Sequence, residues 1–136
     1  MILAAGCTDK VPMTLPDPPA PIVQPAEYAF GDAIASADNR AAAAAQDLLR
    51  PRFGGGQERN LVAPAGTDFA AVTRWYDARA QEAGWEPVAG FTDRLGGGRH
   101  GFAYAAGTRA FALVWIDEAS PDGNRPVTTI RFGEGR

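Results

Sequence analysis

The chain has 136 residues, of which 46% are hydrophobic, and its formal net charge is -3. This size and composition fit a single globular domain, and the small charge with dispersed basic residues argues against a nucleic-acid partner. One Cys and one His exclude an internal disulfide, a typical zinc ligand set and most Cys-His catalysis. No stretch reaches the roughly 18 consecutive apolar residues that a membrane-spanning helix needs.

The chain begins Met-Ile-Leu-Ala-Ala-Gly-Cys, an apolar stretch followed by small side chains and then the single cysteine, Cys7. This pattern resembles the end of a bacterial lipoprotein signal peptide, where small residues let the signal peptidase reach the bond before a diacylglyceryl cysteine. The resemblance implies that residues 1–6 are a signal-peptide remnant and that acylated Cys7 holds the protein on a lipid bilayer. The alternative is a chance Ala-Gly-Cys with an unmodified thiol. Because Thr8 follows Cys7 where inner-membrane lipoproteins of the family carry Asp, the resemblance favours the outer membrane.

Residues 8–26 contain six prolines, and proline removes backbone donors and fixes φ, so neither a helix nor a central strand is expected. We predict a Pro-rich tether over 7–27 that reaches roughly 60 Å at most as a polyproline II segment. Two interpretations stay open for it. It is a stiff spacer that holds the domain off the membrane, or it lies along a partner protein through Ile22 and Val23.

The folded part is predicted to span residues 28–136, and its first helix to cover residues 38–50. Asp38 is suited to cap that helix, the run Ala41–Ala45 has the best intrinsic propensity, and Pro51 is expected to end it. The glycines that follow predict a flexible break.

The second predicted helix, Asp68–Ala83, is the stronger of the two. Thr67 is a good N-cap, Gly84 stands where a left-handed C-terminal cap belongs, and Arg79 with Glu82 forms a surface pair. An apolar stripe at helical spacing predicts the buried side. Its members are Phe69, Val72, Tyr76, Ala80 and Ala83.

Strands dominate the rest of the chain. The predicted strands are Asn60–Pro64, Trp85–Thr92, Arg99–Ala106, Arg109–Asp117 and Val127–Phe132. Gly107-Thr108 suits a two-residue type II′ hairpin. The strand from Arg109 is apolar on both sides and should be central, whereas Pro126 suits an edge strand. The sequence therefore predicts an α+β fold: an antiparallel sheet of about four to five strands with the Asp68 helix packed on one face, plus an N-terminal Ala-rich helix.

The motifs that might carry chemistry are weak. Gly96–Gly101 matches G-x-G-x-x-G, but a strand rather than a helix follows, so we predict a loop and no dinucleotide site. His100 shows no orienting partner for work as a general base. Asp117 and Glu118 are adjacent in a strand and should point to opposite faces. No catalytic residue, metal ligand or cofactor site is therefore predicted.

Aromatic residues are the remaining candidates for function. Trp75 lies beside the helix stripe and Trp85 just after the helix, while Phe102 and Tyr104 share one face of a strand. Core packing is the simplest interpretation of the two tryptophans. If exposed, all four residues are candidate contacts for a protein partner or, for Phe102 and Tyr104, the lining of a ligand pocket.

These patterns predict a non-catalytic lipoprotein of the cell envelope that serves as an accessory, assembly or docking subunit for another envelope protein. The alternative is a small-ligand or cell-wall-binding module that uses an open face of the sheet.

Overall fold

The computed structural model describes residues 14–25 and 30–133. Its elements are helix α1 (Asp32–Phe53), strand β1 (Gly56–Ala63), helix α2 (Phe69–Ala83), strand β2 (Glu86–Pro87), the one-turn helix α3 (Phe91–Arg94), and strands β3 (Arg99–Ala106), β4 (Arg109–Ile116) and β5 (Arg125–Phe132). The five strands form one antiparallel sheet in the order β1-β5-β4-β3-β2. The predicted α+β class is confirmed.

Helix α1 covers one face of the sheet. The registers Ala103↔Ala112 and Ala105↔Ala110 place four small side chains on that face, and they belong to the same buried cluster as the alanines of the helix. With methyl groups on both sides, the helix backbone approaches the sheet closely, and Cα atoms of α1 lie within 8 Å of β1, β4 and β5. The alanine run therefore serves packing as well as helix propensity.

Helix α2 covers the opposite face with much larger side chains. Tyr76 packs against Phe102 and Phe111, with ring centroids 5.3 and 5.0 Å apart. Asp68 rather than Thr67 is the N-cap, since its carboxylate accepts from the Ala71 amide at 3.1 Å. The sequence predicted a helix on one face only, whereas in the structure α1 and α2 cover opposite faces of the sheet.

The segment 14–25, which we name the strap, packs on the α2 face beside that helix. Leu15 is 1% exposed and Ile22 is 4% exposed. Val23 exchanges two backbone hydrogen bonds with Val62 at the edge of β1, at 3.1 and 2.8 Å. The prediction of a tether free of the domain is wrong for residues 14–25, because apolar side chains between the prolines complete the core. Tyr28, where the domain was predicted to begin, lies outside the described residues.

Side chains hold the strap in place along its length. Tyr76 donates its hydroxyl proton to the Pro16 carbonyl at 2.5 Å. Arg131 donates to the Leu15 carbonyl and to the Asp17 carboxylate, which Arg59 also contacts. These groups come from β1, β5 and α2, so the strap is bound to the folded sheet and not only adjacent to it.

The boundaries of α1 differ from the prediction at both ends. Asp38 lies inside the helix, fully buried, and accepts from the Thr128 hydroxyl at 3.0 Å instead of capping. Pro51 lies in the last turn, where it removes one backbone donor, and the helix nevertheless continues to Phe53. The Gly54 amide closes this end by donating to the Arg50 carbonyl at 2.8 Å.

Two strand predictions also need correction. The strand expected at Trp85–Thr92 is reduced to the two residues of β2, and the one-turn helix α3 follows. Strand β5 is internal rather than an edge. Pro126 is tolerated because the last β4–β5 pair is Trp115↔Val127, and the Ile116 carbonyl accepts from the Arg125 side chain at 3.0 Å.

Several local predictions are confirmed. Strand β4 is central, and β3 spans the predicted residues. Gly107 has φ of 62°, and across residues 14–25 and 30–133 a positive φ occurs only at glycines, which fits a type II′ turn at Gly107-Thr108. Gly84 caps α2 in the left-handed region, and Arg79 pairs with Glu82 at 2.8 Å.

Candidate functional site

A histidine-aspartate pair lies at the end of the sheet where β4 terminates. His100 Nε2 and an Asp117 carboxylate oxygen are 2.5 Å apart. The His100 ring stacks on Trp115, with centroids 5.7 Å apart, and Phe69 of α2 stacks on the same indole at 4.2 Å. We name these four residues the His100 cluster. Its surface is half-buried and aromatic with one carboxylate at the rim.

The prediction that His100 lacks an orienting partner is wrong. Asp117 lies two residues after Trp115, which pairs with His100, so the alternation of a strand places all three on one side. Applying the alternation of a strand to the predicted β3–β4 hairpin could therefore have brought His100 and Asp117 together from the sequence. A carboxylate beside a histidine ring can orient it as a base, and within the described residues the ring pairs with the Asp117 carboxylate and stacks on Trp115. A nucleophile beside the ring would be needed to complete a catalytic set.

Three of the four predicted partner-binding aromatics are buried. Trp85, Phe102 and Tyr104 are 4%, 8% and 2% exposed, since α2 and the strap cover that face. The expectation that Phe102 and Tyr104 line a ligand pocket is therefore wrong. Trp75 is half-buried: its ring meets Tyr76 edge-on, and the Arg79 guanidinium lies 5.2 Å from its centroid. Trp75 alone of the four offers surface to a partner.

The two buried tyrosines join α2 to its neighbours through their hydroxyl groups. Tyr104 donates to Asp77 of α2, and Tyr76 donates to the strap. Burial raises the pKa of Tyr76 well above its ordinary value. Burial, followed by the bond to Asp77, does the same to the pKa of Tyr104. Both phenols serve as neutral donors.

We expect this burial to appear as a loss of stability in strong alkali. A group whose pKa is higher in the folded state contributes stability below its unfolded pKa, here 10.0, and that contribution falls as pH rises further. In a Tyr28→Phe variant, which keeps only the two buried tyrosines, phenolate absorbance should rise only together with the loss of circular dichroism. Phenolate absorbance that appears while the fold is intact would contradict the burial of these phenols.

An apolar groove of about 570 Å³ opens at the same end of the sheet as the His100 cluster. Val23 is 54% exposed and is the one large hydrophobic side chain classed as exposed in the described part of the chain. We name this the Val23 groove. Its apolar lining consists of Val23, Pro25, Phe30, Val62 and Pro121.

The rim of the Val23 groove is a polar turn. The Ser120 hydroxyl donates to Asp122, and this bond lowers the pKa of that carboxyl. The Asn124 side chain accepts from the Ala65 amide at 3.2 Å and so ties the turn to the end of β1. An apolar floor with a polar, anionic rim is the arrangement typical of a protein-binding surface.

The Gly96–Gly98 loop leads into β3, so the predicted loop is confirmed and a strand rather than a helix begins after it. Across residues 14–25 and 30–133, no group of three or more His, Cys, Asp or Glu side chains is arranged to hold a metal ion. Within the same ranges no helix combines the length and hydrophobicity needed to span a bilayer. Cys7 lies outside the described residues.

We compared the chain with protein-family models, with curated proteins and with solved structures. None matched.

Proposed function

We propose that this protein is a non-catalytic lipoprotein of the cell envelope, anchored through diacylglyceryl Cys7, whose domain docks on another envelope protein. The observation that carries the docking role is the Val23 groove, in which the most exposed large hydrophobic side chain stands among rigid apolar neighbours. Thr8, after the lipobox-like sequence, favours placement in the outer membrane, with the domain facing the periplasm or the surface.

The groove is preorganised for contact with a partner. Both backbone hydrogen bonds of Val23 are made to Val62, so the main chain that carries the side chain is held in one position before binding. Pro25 and Pro121 restrict the backbone on either side. Little conformational entropy then remains to be lost on association, which favours affinity for a given contact area.

The alternative role, a small-ligand or cell-wall-binding module, was based on an open face of the sheet. Helix α1 covers one face, and α2 with the strap covers the other. A ligand would therefore need the end of the sheet rather than its face, and the groove there is apolar and open, which suits a protein surface better than a small polar ligand.

The anchor is tested by mass spectrometry of the protein taken from its native envelope. We expect the N-terminal residue to be Cys7 carrying a diacylglyceryl group, with residues 1–6 absent. A free thiol with intact peptide ahead of it would refute the lipoprotein proposal. This measurement is independent of whether the domain docks on a partner.

The docking role is tested with a photoreactive amino acid at position 23 in intact envelopes, compared with the same probe at Thr108 at the far end of β4. We expect one discrete crosslinked protein from position 23 and none from position 108. Val23→Glu should abolish binding of the captured protein, whereas Gln24→Glu, on the neighbouring exposed residue, should retain it. Equal crosslinking from both positions, or equal binding by both variants, would contradict docking through the groove.

A further inference from the structure

Because the strap is packed on the domain, only the residues between Cys7 and Thr14 can separate the domain from the bilayer. Thr14 is held at the start of β4, where its hydroxyl oxygen accepts from Arg109 at 2.6 Å. Leu15 behind it is buried and its carbonyl accepts from Arg131. Seven residue steps separate Cys7 from Thr14, and even a fully extended chain spans about 25 Å over that length.

The strap also determines from which end of the domain the chain continues towards Cys7. It runs from Arg109 at one end of the sheet to Val62 at the other. We name the first of these the hairpin end; it holds the Gly107-Thr108 turn and the pair Gly56↔Phe132. The eight residues of β4 separate it from the Val23 groove by about 25 Å.

From this geometry we infer that the hairpin end lies against the headgroups of the bilayer that holds Cys7 and that the Val23 groove points away from the membrane. This inference rests on the proposed lipid anchor and adds the orientation of the domain. The partner of the hairpin end is a lipid surface, because the attachment chain keeps that end within about 25 Å of the bilayer, whereas the groove lies about 25 Å farther along the domain.

The composition of the hairpin end is compatible with headgroups. The turn itself presents the exposed and uncharged Gly107 and Thr108. The guanidinium of Arg52 lies 4.7 Å from the Phe53 ring and that of Arg109 lies 5.6 Å from the Trp85 ring, and cations near a bilayer favour anionic lipids. Glu86 adds a carboxylate on the neighbouring strand, so the contact depends on the anchor more than on charge.

The test uses the full lipidated protein in vesicles of phosphatidylethanolamine and phosphatidylglycerol. A fluorophore is attached to Thr108→Cys at the hairpin end or to Gly97→Cys at the opposite end. Position 97 is a matched control, because a Cβ there meets no atom within 4 Å and its φ is unstrained. Since acylation consumes the thiol of Cys7, each variant carries a single label.

Quenching by a spin label on the lipid headgroup reports the distance of each fluorophore from the surface. We expect quenching to be several-fold stronger at position 108 than at position 97, and a long Gly-Ser insertion after Asp9 to reduce that ratio towards one. Equal quenching without the insertion, or stronger quenching at position 97, would overturn the orientation. If the anchor itself were wrong, the unsubstituted protein would react with maleimide at Cys7 and would not float with the vesicles, which separates the two failures.

Discussion

Leu15→Ala should lower the free energy of unfolding by about 3 kcal/mol, the usual cost of removing a fully buried leucine side chain. Leu15 is 1% exposed and belongs to the buried cluster that includes Leu61, Tyr76 and Phe111. Truncation leaves a cavity beneath a strap whose backbone is held by hydrogen bonds to the carbonyls of Leu15 and Pro16. Urea denaturation followed by tryptophan fluorescence measures the change.

The control for Leu15→Ala is Val23→Ala, which shortens an aliphatic side chain in the same strap. Because Val23 is 54% exposed, its truncation should change the free energy of unfolding by less than about 0.5 kcal/mol. A tether free of the domain would make both variants equally harmless. A Leu15→Ala midpoint equal to that of the unsubstituted protein would therefore show that the strap does not pack in solution, and would also remove the basis for the membrane orientation.

Gly101→Ala should destabilise the domain by about 3 kcal/mol, at the upper end of the cost of overpacking. A Cβ at this position in β3 would lie 2.4 Å from the Leu113 carbonyl oxygen and 3.0 Å from a methyl carbon of Val114. Both neighbours belong to β4, which is held by strands on both sides and cannot shift alone. The Gly101 carbonyl also accepts from the Thr92 hydroxyl at 2.7 Å, so movement of β3 would disturb α3 as well.

Gly97→Ala serves as the matched control for Gly101→Ala. It adds the same methyl group four residues earlier, where no atom lies within 4 Å and φ is not positive. We expect a change within about 0.5 kcal/mol, since the entropy lost by the unfolded chain favours Ala slightly. Thermal unfolding by circular dichroism distinguishes the two variants. Similar melting temperatures for both would show that β3 and β4 do not pair in the described register.

The sequence by itself determined the elements whose signals are local. The apolar stripe and the Gly84 cap defined α2, and the Gly107-Thr108 turn set the β3–β4 hairpin. Strand β4 was recognised as central because both of its sides are apolar. These features depend on residues a few positions apart, where helical and strand periodicity and turn chemistry act directly.

The tertiary structure decided where those elements lie and what the polar residues do. Asp is a residue type that often caps helices, but the hydrogen-bond partner of Asp38 is Thr128, 90 residues away along the chain. His100 gained Asp117 only when two strands paired. Trp85, which would have been a candidate partner contact if exposed, is buried.

The strap shows most clearly what local sequence determines and what tertiary contacts decide. Its prolines exclude helix and strand whether the segment is free or packed, so composition alone cannot distinguish a tether from part of the core. Whether the segment packs is decided by Leu15 and Ile22, which are buried in one apolar cluster with side chains of the sheet and α2. Local sequence therefore determined the extended conformation, whereas burial against residues far along the chain determined that this segment belongs to the folded domain.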